Sequence, residues 1–200
     1  MKLRYSAASP YVRKVMVVAI ETGQDGKIDR IPTVAVDKAS GLDKDNPLVK
    51  VPSLTTDDGE ALYDSAVICE YLDSLHGGRK LFPASGKARW TAIRRQALAD
   101  GMLDAGVLIR LEGLRKPGEQ SADFVARQTE KVKNGLDALE KEAGSFAAEP
   151  TIGEITVACC LGWLEFRKPT GDWRPGHPKL AAWLDAFSKR PSMSATVPKA

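Results

Sequence analysis

Residues 3–20 read LRYSAASPYVRKVMVVAI, and their apolar period changes within a few positions. Leu3 and Tyr5 alternate about Arg4, as a half-buried strand requires. From Val12 the period becomes helical: Val12, Val15, Met16, Ala19 and Ile20 follow the i, i+3, i+4, i+7, i+8 spacing of one helix face. Ser9-Pro10 stands at the join, with serine suited to the N-cap and proline to the first helical position. The stretch reads as strand, turn and helix.

Working outward, residues 31–36 (IPTVAV) form a second strand candidate, and Pro32, which has no N–H to donate, places it at a sheet edge. SLTT and ALY flank Asp57-Asp58-Gly59-Glu60 and read as two short antiparallel strands, with Gly59 supplying the positive φ of a tight turn. Ile68, Tyr71, Leu72 and Leu75 then mark a helix that begins at Ser65 and stops at Gly77-Gly78. A βαβ unit followed by ββα makes a small thioredoxin-like α/β sandwich over residues 1–77. The aperiodic residues 78–87 serve as a linker, and residues 88–200 carry only helical patterns, around 88–115, 121–144, 152–167 and 178–189. Between Ile155 and Phe166 only Thr156 and Glu165 are strongly polar, which makes that helix the centre of an all-α bundle. Thr151 and Glu154 give it a capping box.

Composition narrows the function classes. A chain of 200 residues with 43% hydrophobic and 28% charged content can bury a sizeable core. A net charge of +3, with scattered basic residues and no nucleic-acid signature, argues against a nucleic-acid partner. Cys69, Cys159 and Cys160 have neither disulfide nor zinc spacing and fit a reducing, cytoplasmic setting. The longest apolar run near the start, VMVVAI, is too short for a secretory segment or a membrane span.

Four motifs occur in order: SPYVRK at the first helix, NPLVKVPSL before the hairpin, YDSAVICEYL entering the third helix and TIGEI in the helical domain. With the two-domain layout they resemble the cytosolic glutathione transferase superfamily, in its serine-type bacterial form, over essentially the whole chain. The resemblance implies glutathione as co-substrate, no metal, and a homodimer. It also implies a cis Val51-Pro52 bond, with the Val51 backbone pairing with the cysteinyl backbone of glutathione as an added strand. Ser65, at a helix N-terminus that favours an anion, would take the γ-glutamyl carboxylate. Asp64 would meet the ammonium, in the same subunit or across a dimer, and Lys50 would hold the glycyl carboxylate or simply remain solvated.

Read alone, Ser9 is an N-cap; under the resemblance its hydroxyl also stabilises the glutathione thiolate, whose free thiol has a pKa of about 8.5. Tyr11 is a second candidate donor, whereas Tyr5 lies too early and faces the core. A serine at position 9 cannot form the mixed disulfide that deglutathionylating chemistry requires. His76 and His177 read as caps or surface groups, Cys159-Cys160 as core, and Asp100 and Asp104 as neighbours on one face of the first long helix. The expected function is therefore conjugation of glutathione to a small apolar electrophile. The alternatives are a non-catalytic binding or regulatory member, or a glutathione-dependent lyase, isomerase or peroxidase on the same site.

Overall fold

Leu3 is fully buried while Lys2 faces solvent, whereas Arg4 and Tyr5 are both half-buried, so the alternation is sharp only at the start of the strand. In the structure, a computed structural model that describes residues 1–199, β1 (Lys2–Tyr5) is an inner strand of a four-stranded sheet. The other strands are β2 (Asp29–Pro32), β3 (Ser53–Thr55) and β4 (Ala61–Leu62), and the order across the sheet is β2-β1-β3-β4. β1 runs parallel to β2 and antiparallel to β3, with Leu3 opposite Leu54, and β3 and β4 form the hairpin. Gly59 turns that hairpin at a φ of +91°. Parallel neighbours need a crossover, and α1 (Pro10–Glu21) supplies it between β1 and β2.

β2 takes the expected edge but lies earlier than residues 31–36. Its extent is set by β1, whose four residues pair with Asp29 through Pro32. One further bond, from the Thr33 N–H to the Tyr5 carbonyl at 2.8 Å, closes the ladder. Val34 and Val36 are exposed, so the alternation that suggested a longer strand has no core to face. A short helix, α2 (Leu42–Asp45), follows Gly41 at a φ of +64° and was not anticipated, being a single turn within a polar stretch. α3 (Ser65–Ser74) begins where expected and packs on α1.

By contacts the chain falls into two units, one of residues 1–84 together with those from Pro191 onward, the other Ser85–Arg190. The first boundary falls inside the expected linker. The last residues, expected with the helical domain, join the first unit instead: α8 (Pro191–Ser194) lies on α1, where the Arg13 guanidinium donates to the Met193 carbonyl at 3.3 Å and the Ser192 hydroxyl to Glu21 at 2.5 Å. Their short amphipathic pattern does not reveal in sequence which unit they cover.

The second unit holds α4 (Gly86–Glu112), α5 (Ala122–Glu142), α6 (Ile152–Arg167) and α7 (Pro178–Phe187). Every residue from Ile152 to Leu161 is buried, as its apolar run implies. The capping box forms: the Glu154 carboxylate accepts from the Thr151 N–H at 2.8 Å, and the Thr151 hydroxyl oxygen accepts from the Gly153 N–H at 3.2 Å. Glu154 also receives the buried Arg95 guanidinium from α4, which reaches Glu142 and the Ser145 hydroxyl as well. Burial of a charge is offset only by such complete pairing. Arg94 binds Glu142 from outside and, with Arg95, holds its carboxyl below the usual range against the opposing effect of burial.

α4 and α6 approach closely at Gly153, where a Cβ would stand 2.8 Å from the Ala92 carbonyl oxygen and 3.2 Å from the Ala92 Cα. Backbone cannot swing aside as a side chain can. Gly153→Ala is therefore expected to lower stability by about 1–3 kcal/mol through overpacking, despite the better helix propensity of alanine. Thermal unfolding reads the effect, and a melting temperature at or above wild type would mean that the two helices separate without cost.

Candidate glutathione site

Strand register decides which parts of the first unit meet. β1 ends at Tyr5, β3 begins at Ser53 opposite Arg4, and β4 ends at Leu62 opposite Leu54. The turn 6–9, the peptide 51–52 and the segment 63–65 therefore emerge at one end of the sheet. α1 and α3 both start there, after connections of four and two residues, so two helix N-termini, each with free N–H groups and a positive dipole end, face that edge.

Ser9 caps α1 from an extended conformation (φ −81°, ψ 124°), its Oγ accepting from the Val12 N–H at 3.3 Å. Its own N–H donates to the Ser6 carbonyl at 3.1 Å, which closes the turn out of β1, and Pro10 occupies the first helical position. A serine oxygen has two lone pairs and one proton, so accepting from Val12 leaves the O–H free to donate. Tyr11 is half-buried one residue further into the helix. Tyr5 is half-buried, with the Arg30 guanidinium 5.8 Å from its ring centroid.

The Val51-Pro52 peptide is cis, and so is Tyr63-Asp64. Asp64, rather than Ser65, is the N-cap of α3: its Oδ1 accepts from the Ala66 N–H at 2.9 Å, and Ser65 is the first helical residue. Ser65 is only 2% exposed, yet among the described residues its hydroxyl meets no hydrogen-bond partner. Lys50 is exposed and makes no ion pair with the described residues.

Asn46 escaped the sequence reading. It is buried, and its side chain binds the backbone of Leu48 and Lys50, immediately before Val51. The only trace of it in sequence is the Asn-Pro pair, a turn signal that carries no hint of burial.

Other candidates are structural. The His76 ring accepts from the Gly78 N–H and meets Asp73, whose buried carboxylate also receives the N–H groups of Leu81 and Phe82. In the second unit, His177 lies between the Trp173 carbonyl and Asp137. Cys159 and Cys160 are fully buried, and burial, reinforced by the nearby Asp100, pushes the Cys160 thiol well above its ordinary pKa, away from nucleophilic use. Asp100 thus lies near that core, while Asp104 is exposed. Among the described residues no group of three or more His, Cys, Asp or Glu is placed to hold a metal ion, and no helix is long and apolar enough to cross a membrane.

The chain as a whole has counterparts of similar sequence and fold. The family model of the glutathione S-transferase N-terminal domain matches residues 8–75, and that of the C-terminal domain matches residues 122–186. A crystal structure of a glutathione transferase family member from Pseudomonas fluorescens Pf-5, with bound glutathione, is 44% identical, covers 100% of this chain and 99% of its own, and superposes with a TM-score of 0.95. A glutathione S-transferase from Methylobacillus flagellatus, also with glutathione bound, is 39% identical, with 99% of each chain covered and a TM-score of 0.93. The uncharacterized GST-like protein YibF of Escherichia coli K12 is 33% identical over 202 residues, spanning 99% of this chain and 98% of its own. The chain belongs to the glutathione S-transferase family.

Proposed function

We propose that the protein binds glutathione at this sheet edge and transfers its thiolate to a small apolar electrophile, with Ser9 as the thiolate donor. The observation that carries the reading is the convergence of unsatisfied donors on one edge. Ser9 retains its O–H after capping α1, and Ser65 keeps an unpartnered hydroxyl at the start of α3. Glutathione bound by relatives at 39–44% identity supports the same assignment.

In this reading the Ser65 hydroxyl and N–H take the γ-glutamyl carboxylate at the positive end of α3. Asp64 caps with one oxygen, which leaves the other to meet the ammonium. The Val51 backbone pairs with the cysteinyl residue, and Lys50 attracts the glycyl carboxylate as a point charge. The cysteinyl sulfur then comes to Ser9, where a donated hydrogen bond and the α1 dipole both favour S⁻ over SH. A depression of about 2 pKa units corresponds to roughly 3 kcal/mol between the two forms. The sulfur lone pair forms the new S–C bond, and the electrophile releases its leaving group or, after addition, takes up a proton. The reaction belongs in the cytoplasm, where glutathione is reduced.

Ser9→Ala should separate cap from donor. Stability should fall by about 1 kcal/mol, and the bound thiol pKa should rise toward about 8.5. A donor to the anion lowers the thiol pKa, so its loss slows turnover most near neutral pH and matters less as pH rises and the thiol ionises unaided. Thiolate absorbance against pH, wild type beside mutant, reads this directly; superimposable curves would leave Ser9 a cap alone.

Ser65→Ala should weaken glutathione binding by roughly 1–3 kcal/mol, because a charged group loses its partner. Calorimetry measures it, and unchanged affinity removes Ser65 from the site. Glutathione binding without turnover across an electrophile panel would instead favour a binding protein.

The exposed apolar side chains Leu48, Tyr63 and Val67 lie near the same segments and suit a symmetric homodimer. Sedimentation at micromolar concentration should give about twice the 21.6 kDa chain mass; a species at the chain mass refutes the assembly.

A further inference from the structure

Val49 adopts a φ of +52°, one of two non-glycine residues with positive φ among those described. A β-branched residue is poorly suited to this conformation, because its Cβ crowds the following carbonyl. The turn persists because Asn46 closes it from within. Asn46 is 2% exposed; its N–H donates to the Leu42 carbonyl at 2.8 Å, and its carbonyl accepts from the Val49 N–H at 2.9 Å. Its side chain does the rest: Oδ1 accepts from the Leu48 N–H at 2.9 Å, and Nδ2 donates to the Lys50 carbonyl at 2.9 Å.

The last bond has a geometric consequence. The Lys50-Val51 peptide is not among the cis bonds, so its C=O and N–H point in opposite directions across one plane. With the carbonyl drawn inward to Asn46, the Val51 N–H is turned outward, and among the described residues it meets no acceptor. That N–H is the group the proposed function assigns to the cysteinyl backbone of glutathione.

We propose that Asn46 is a positioning residue for glutathione: by holding Val49 left-handed and gripping the Lys50 carbonyl, it fixes the plane that presents the Val51 N–H. The proposal rests on the functional reading above. Asn46 is held from behind by the same unit, since the preceding residue, Asp45, receives the Arg4 guanidinium from β1 and its carbonyl accepts from the Ser53 hydroxyl at 3.2 Å. The turn is thereby tied to β1 and β3, two of the strands that end at the site.

Three variants test it: Asn46→Ala, Val49→Gly and the double substitution, with Asn46→Asp as a fourth that keeps the acceptor for Leu48 and withdraws the donor to Lys50. Asn46→Ala should raise the Kd for reduced glutathione by about tenfold, the loss of roughly one such hydrogen bond. Asn46→Asp should do the same, which keeps the test open should the alanine variant fail to fold. Val49→Gly, free to adopt positive φ, should raise the melting temperature by a few degrees. Added to Asn46→Ala, it should recover part of the lost affinity, because glycine keeps the left-handed turn accessible without the clamp. Hydrogen exchange needs no ligand: the Leu48 and Val49 amides should lose protection in Asn46→Ala. Unchanged Kd in both Asn46 variants overturns the positioning role even if melting temperatures fall, and a double variant no tighter than Asn46→Ala overturns the route through Val49. Retained protection at Leu48 and Val49 overturns the clamp itself. A wild-type chain that binds no glutathione defeats the functional reading and with it the role in binding, and exchange still decides the clamp.

Discussion

β1 is paired on both edges, and its antiparallel register with β3 sets Leu3 against Leu54 in the core. A slip of either strand by one residue would turn its leucine out of that core, so hydrophobic burial specifies the register strongly. Once it is set, the end of β1, the start of β3 and the end of β4 share an edge, and the chain has no freedom over where Ser9, Val51 and Ser65 arrive. The candidate site is thus a by-product of core packing, with polar groups placed where the strands stop.

At that edge, single groups serve both the fold and the site. The Ser9 oxygen satisfies an orphan N–H of α1 while its proton remains available. Asp64 caps α3, which frees Ser65 from that duty and leaves its hydroxyl without a partner among the described residues. A binding edge is the setting in which an incomplete hydrogen-bond inventory makes sense, because the ligand completes it.

The helical unit is organised around a buried charge. Arg95 is bound by Glu142, Glu154 and Ser145, one through each guanidinium nitrogen, and its guanidinium lies 4.7 Å from the Phe146 ring centroid. Glu154 completes both this cluster and the capping box of α6. Breaking a buried pair from one side strands the other charge, so the network ties the start of α6 to α4 at the point where Gly153 lets the two backbones come together. Its role is structural.

Local information was enough for much of this. The change of period at Ser9-Pro10, the Gly59 turn, the Thr151-Glu154 box and the four long helices were legible because each depends on spacing or on one residue's intrinsic conformation. Ser9, Lys50, Val51, Asp64 and Ser65 could be singled out by motif for the same reason. Tertiary structure alone decided the rest. β2 ends at Pro32 because β1 offers four partners, although IPTVAV alternates further. The residues from Pro191 onward join the first unit because Arg13 and Glu21 receive them, a choice made at long range. Asn46 looked like any turn residue, since burial and a bond to a carbonyl four residues away leave no mark on composition or period. Patterns along a chain report which face a residue wants to bury, whereas partners are settled only when distant segments compete for the same space.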